Sequence, residues 1–77
     1  MTARADVLIA LALCRRTHAN LLRNIRRHRD AAEALVTLDK PASFACEVAA
    51  RRLTEELALV KVDLRRVETL ARMQQGD

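Results

Sequence analysis

The sequence predicts an all-α chain folded as one antiparallel two-helix hairpin, coiled-coil-like in its packing. Three observations carry that prediction. From Ser43 to Gln74, the residues Cys46, Ala50, Leu53, Leu57, Val60, Leu64, Val67 and Ala71 recur at alternating steps of four and three. Spacing of this kind is the seam of a helix lying along another helix. A second seam of the same period runs through the first half, at Leu11, Cys14, His18, Leu21, Ile25, His28, Ala32 and Leu35. Finally, the chain has one Gly and one Pro in 77 residues. Strands and their turns need far more punctuation, together with β-branched and aromatic residues that are scarce here.

The elements follow in order. Met1 to Ala5 is expected to be a frayed start, with Asp6 capping or favouring the first helical turn. Helix 1 is expected over about residues 5–38, because nothing breaks the helical pattern before Pro41. Leu22 and Val36 are read as widening its core-facing stripe. A turn is expected at about residues 39–42, since Pro41 cannot continue helix 1 and disfavours helical geometry at Lys40. Helix 2 is expected at about residues 43–74, with Pro41 at the first position of the helix or Ser43 as its cap. A connection this short makes the two helices antiparallel neighbours.

Folding the chain about residue 40 or 41 sets the two seams against each other. The resulting pairs are Leu35/Cys46, His28/Leu53, Ile25/Leu57, Leu21/Val60, His18/Leu64, Cys14/Val67 and Leu11/Ala71. A hairpin of this kind encloses no core. One seam rarely supplies enough burial for so small a chain, so completion by a partner or by dimerisation is expected.

The outward residues suggest where completion would occur. Phe44, Val48, Leu59, Val62 and Met73 form a broken apolar stripe on helix 2 away from the seam, a candidate partner-binding face. Arg15, Arg16, Arg23, Arg26, Arg27 and Arg29 give helix 1 a candidate basic strip, within a net charge of +4. Such a strip suits an acidic protein surface or nucleic acid. For nucleic acid it lacks interleaved aromatics and any recognisable helix-turn-helix. Arg51/Glu55, Arg52/Glu56 and Glu68/Arg72 are spaced for pairing along helix 2.

No enzyme chemistry is expected. The chain shows no carboxylate pair on an apolar face, no nucleophile beside an orienting base and no phosphate loop. Cys14 and His18 lie four apart on one helix face, but a metal site there needs donors from a second subunit. No metal and no cofactor are therefore expected. The apolar run Val7 to Cys14 is too short to span a bilayer and poorly flanked for a secretory signal, which points to the cytoplasm.

Three features of the pattern go together: Thr17-His18-Ala19 leading into Leu21-Leu22-Arg23, a Pro41-led turn with Phe44 just after it, and the Ala50/Leu53/Leu57/Val60 run. Over roughly residues 17–62 the chain resembles the small type III secretion co-chaperones of the YscE, SsaE and EscE kind. That resemblance implies a cytoplasmic helical hairpin bound to a tetratricopeptide-like chaperone, the pair keeping the needle subunit unpolymerised. The outer stripe of helix 2 would then be the docking face. The alternative is a self-associating hairpin acting as a small basic nucleic-acid-binding or metal-responsive regulator.

Overall fold

The computed structural model describes residues 4–75. The expected frayed start therefore falls outside the described residues at positions 1–3, and Ala5 is already helical. Two helices account for the described chain: α1, Ala5–Leu35, and α2, Lys40–Gln75. They pack against each other as an antiparallel hairpin, with no strand among the described residues.

The Cα trace spans 58 × 14 × 14 Å. Both dimensions follow from helix geometry. A 36-residue helix at ~1.5 Å per residue is about 54 Å long. Two Cα cylinders of ~2.3 Å radius at a spacing of about 9–10 Å are ~14 Å across. The molecule is a rod two helices wide.

The seams are where the periodicity puts them. Every described α1 seam residue from Val7 to Leu35 is buried or half-buried, and so is every α2 seam residue from Ser43 to Gln74. Val7, Leu11, Ile25, Ala32, Ala50, Leu57 and Ala71 are the buried apolar residues. No described side chain is completely enclosed. One helical neighbour covers one stripe of a helix and leaves the rest in water. For the same reason Leu22 and Val36 do not widen the core. They are 47% and 50% exposed, because a single neighbour is too narrow to reach the positions flanking the seam.

The bend lies earlier than expected. α1 ends at Leu35 rather than near 38, the connection is 36–39 rather than 39–42, and α2 begins at Lys40 rather than 43. The cause is Asp39. Its Oδ1 accepts a hydrogen bond from the Ala42 N–H at 3.1 Å, and its carbonyl accepts from the Ser43 N–H at 2.9 Å. Asp39 is thus the N-cap, and Pro41 falls in the first turn, where its missing N–H costs nothing. At the end of α1, the Leu35 carbonyl accepts from the N–H groups of Leu38 (3.1 Å) and Asp39 (2.8 Å). Val36 stays right-handed at φ −57° and ψ −32°, so the turn closes without glycine.

Ser43 is not the cap. It is buried at 4% exposure, and its Oγ donates to the Ala32 carbonyl across the bend at 2.6 Å. Ala32 is among the last four residues of α1, whose carbonyls have no partner within the helix, so this bond also satisfies an orphan acceptor. At the other end, the Arg4 N–H donates to Gln74 Oε1 at 3.0 Å. These two ties set the register. Leu21 lies level with Leu57, His18 with Val60 and Cys14 with Leu64. Most of the pairs expected from sequence are displaced by about one seam step, while Leu11 and Ala71 still share one buried cluster. Both registers put seam on seam, because the pattern repeats every half-heptad.

Candidate interaction surfaces

With the seam at heptad positions a and d, the outer surface divides in three. Positions e and b of both helices form one flank, g and c the other, and f the outer ridges. Four residues sharing a groove on the first flank confirm the division: Leu8 and Arg15 from α1, Glu68 and Arg72 from α2. Arg15 Nη2 and Glu68 Oε2 are 4.0 Å apart across the hairpin.

The flanks differ in charge. The e/b flank carries Arg15, Arg26, Arg29, Arg51, Lys61, Arg65 and Arg72 against Glu33, Glu47 and Glu68. Seven bases against three acids account for an excess equal to the chain's whole net charge of +4. The g/c flank carries Arg27, Arg52 and Arg66 against Asp6, Glu56 and Asp63, and is balanced. One flank is therefore cationic and the other neutral.

The six arginines of the expected basic strip are all exposed, but they do not share one face. Arg15, Arg26 and Arg29 lie on the cationic flank, Arg16 and Arg23 on the ridge, and Arg27 on the neutral flank. The cationic flank is completed by α2, through Arg51, Lys61, Arg65 and Arg72, which single-helix reasoning missed. The pairs expected along α2 do not close to ion-pair distance among the described residues. Glu68 lies nearest Arg15 instead, and the remaining described ion pair is Arg4 with Asp6 at 3.0 Å.

The expected stripe on α2 faces outward. Phe44, Leu59, Val62 and Met73 are 61%, 69%, 57% and 74% exposed, and Val48 is half-buried. Arg51, Arg52 and Glu55 interrupt it between Val48 and Leu59. Leu8, Ile9, Leu13 and Leu70 are exposed as well, around the open end of the rod. For Leu8, Ile9 and Leu13 the signal was present in the run Val7 to Cys14. Apolar residues on every side of a helix with one neighbour must include some that face water.

Cys14 and Cys46 are free and half-buried at opposite ends of the seam. His18 sits one turn from Cys14. No group of three or more His, Cys, Asp or Glu among the described residues could hold a metal ion. No described helix is long and apolar enough to cross a membrane. The grooves along the rod are open and shallow, such as the one lined by Leu22, Ile25, Arg26, Arg29 and Asp30. No protein-family model, curated protein or solved structure matches this chain.

Proposed function

We propose that this chain is a non-enzymatic interaction protein, most concretely a small cytoplasmic co-chaperone of a type III secretion system. In that role it binds a tetratricopeptide-like chaperone, and together they hold the needle subunit unpolymerised. The observation that supports it is the outer face of α2. Four large apolar side chains there are more than half exposed, on a rod that encloses none of the described side chains. Exposed apolar residues at helical spacing fit a groove on a helical partner. The finer assignment rests on the sequence resemblance over residues 17–62.

The test is reconstitution. The purified chain is mixed with a tetratricopeptide-type secretion chaperone and its needle subunit, and the mixture is resolved by size exclusion with light scattering. A stable three-component complex is expected, with Phe44→Glu and Val62→Glu each weakening it at least tenfold. Needle polymerisation at the same rate with and without the chain would sink this assignment.

The charge asymmetry favours a second reading, a regulator that lays its cationic flank along nucleic acid. Binding would then fall steeply with salt, because each phosphate contact releases counterions. Retention on double-stranded DNA that is insensitive to salt, or unchanged by Arg29→Glu with Arg65→Glu, would count against it.

A further inference from the structure

We propose that the open end of the rod docks on an anionic lipid surface, with the α1 side leading. The inference is independent of the co-chaperone reading, because Leu8, Ile9, Leu13 and Leu70 are not part of the α2 stripe.

The first ground is the outward surface at the start of α1. Every exposed residue from Ala5 to Leu13 is apolar except Asp6. Asp6 is matched by Arg4, whose Nη2 lies 3.0 Å from its Oδ2. Leu8 lies on the cationic flank, Ile9 on the outer ridge of α1 and Leu13 on the neutral flank, where Leu70 of α2 joins them. These four side chains are 43–61% exposed. The apolar tip is therefore convex and presents itself to three sides at once. A groove on a protein receives one face of a helix. A lipid surface is fluid and closes around a tip from every side.

The second ground is a collar of arginines directly behind the tip. Cys14 lies level with Leu64, and Arg15 and Arg16 on α1 and Arg65 and Arg66 on α2 stand within two residues of that level. All four are exposed. Between them they occupy the cationic flank, the α1 ridge and the neutral flank. Two grooves join collar to tip: Leu8 shares one with Arg15, and Leu70 shares another with Arg66. Leu8, Ile9 and Leu70 lie five or six residues beyond the collar level, which is about 8–9 Å at ~1.5 Å per residue. An interfacial helix sinks its apolar face roughly 5–10 Å into the boundary between headgroups and acyl chains. At that depth the collar stands among the lipid phosphates, which arginine binds well.

The charge of the whole rod has the same polarity. Residues 4–18 and 60–75, the open half, carry seven bases against three acids. Residues 19–59 carry seven against six. Attraction to anionic lipid is thus concentrated where the apolar tip is. The turn end also exposes apolar residues, among them Val36, Leu38 and Phe44. There, however, Glu33, Asp39 and Glu47 stand against the single base Lys40, and an anionic surface repels them.

Flotation of the full chain with phosphatidylcholine vesicles containing about 30% phosphatidylserine tests the proposal. Binding is expected at low salt, at least tenfold weaker on pure phosphatidylcholine and weaker as salt rises. Ile9→Ser with Leu13→Ser should lower it at least tenfold. Arg16→Gln with Arg66→Gln should lower it at least threefold on the anionic vesicles. Leu38→Ser removes an exposed apolar side chain from the other end and should change nothing. All these positions face water, so circular dichroism should show the same helicity in each variant. The chain has no Trp, so Ile9→Trp and Leu38→Trp each place one reporter, at opposite ends. Emission from Ile9→Trp should shift to the blue on anionic vesicles, and emission from Leu38→Trp should stay where it is. Equal binding to both kinds of vesicle, as large a loss in Leu38→Ser as in the tip variant, or an Ile9→Trp emission unmoved by anionic vesicles would each overturn the proposal. So would a chain that is retained on double-stranded DNA and does not float, which would assign the collar to nucleic acid.

Discussion

The two ends of the rod are held by different physics. The turn end is pinned by directional bonds: Asp39 capping α2, Ser43 Oγ on the Ala32 carbonyl, and small residues close by. The open end is held by apolar packing, with Val7, Leu11 and Ala71 buried together against Leu64 and Val67. Hydrogen bonds specify geometry but each contributes only about 1 kcal/mol net. Apolar burial contributes more, roughly 1.5–3 kcal/mol for a large side chain, but specifies geometry weakly. The turn end therefore fixes how the helices align, and the seam supplies the energy that keeps them together.

The largest expected effect comes from breaking the seam. Leu11→Ala should cost about 2–4 kcal/mol in thermal or urea unfolding, by lost burial and the cavity left behind. Amide exchange should rise first around residues 7–15 and 64–71. Equal and simultaneous loss of protection near Ser43 would show that the two ends are not distinct. Leu57→Ala at mid-rod, where the side chain is 7% exposed, should cost a similar amount without favouring either end.

At the turn, Ser43→Ala removes the buried bond from Ser43 Oγ to the Ala32 carbonyl and should cost about 1 kcal/mol. Its sharper consequence is on alignment. Spin-label distances between the helices should broaden by about one seam step, because the alternative register is again available. An unchanged, narrow distance distribution would mean that the seam alone fixes alignment. Asp39→Ala should cost about 0.5–2 kcal/mol through loss of the cap. Asp39→Asn should recover most of that in the same melt, since asparagine caps nearly as well.

The smallest effect is expected at the surface. Arg15 and Glu68 are 4.0 Å apart with side chains 62% and 43% exposed. Glu68→Ala should change stability by less than about 0.5 kcal/mol and be insensitive to salt. A larger loss, abolished by salt, would assign the open end an electrostatic contribution that its geometry does not suggest.

Much of this architecture was legible beforehand. The class, both seams and the single bend follow from where the apolar residues recur and where Pro41 stands. The bend's position was misjudged because Pro41 and Ser43 both look like helix starts, whereas Asp39 has the better cap geometry three residues before Ala42. Leu22 and Val36 were assigned to the core because a helix in a globule usually buries a wider stripe. Here the single neighbour left them in water. The outer stripe of α2 was visible as a pattern, and its exposure follows from the lack of a second layer. The cationic flank was not visible, because it draws on both helices and becomes one surface only when they are aligned.

The sequence by itself determined that two long helices form and which stripe each one buries, because helical periodicity is local and repeats along each arm. Only the tertiary structure decided which seam residue stands beside which. Sliding one helix by half a heptad returns apolar on apolar at almost the same burial energy. Asp39 placing the bend, Ser43 reaching Ala32 and Arg4 reaching Gln74 break that near-degeneracy, and with it they settle which charges gather on each flank.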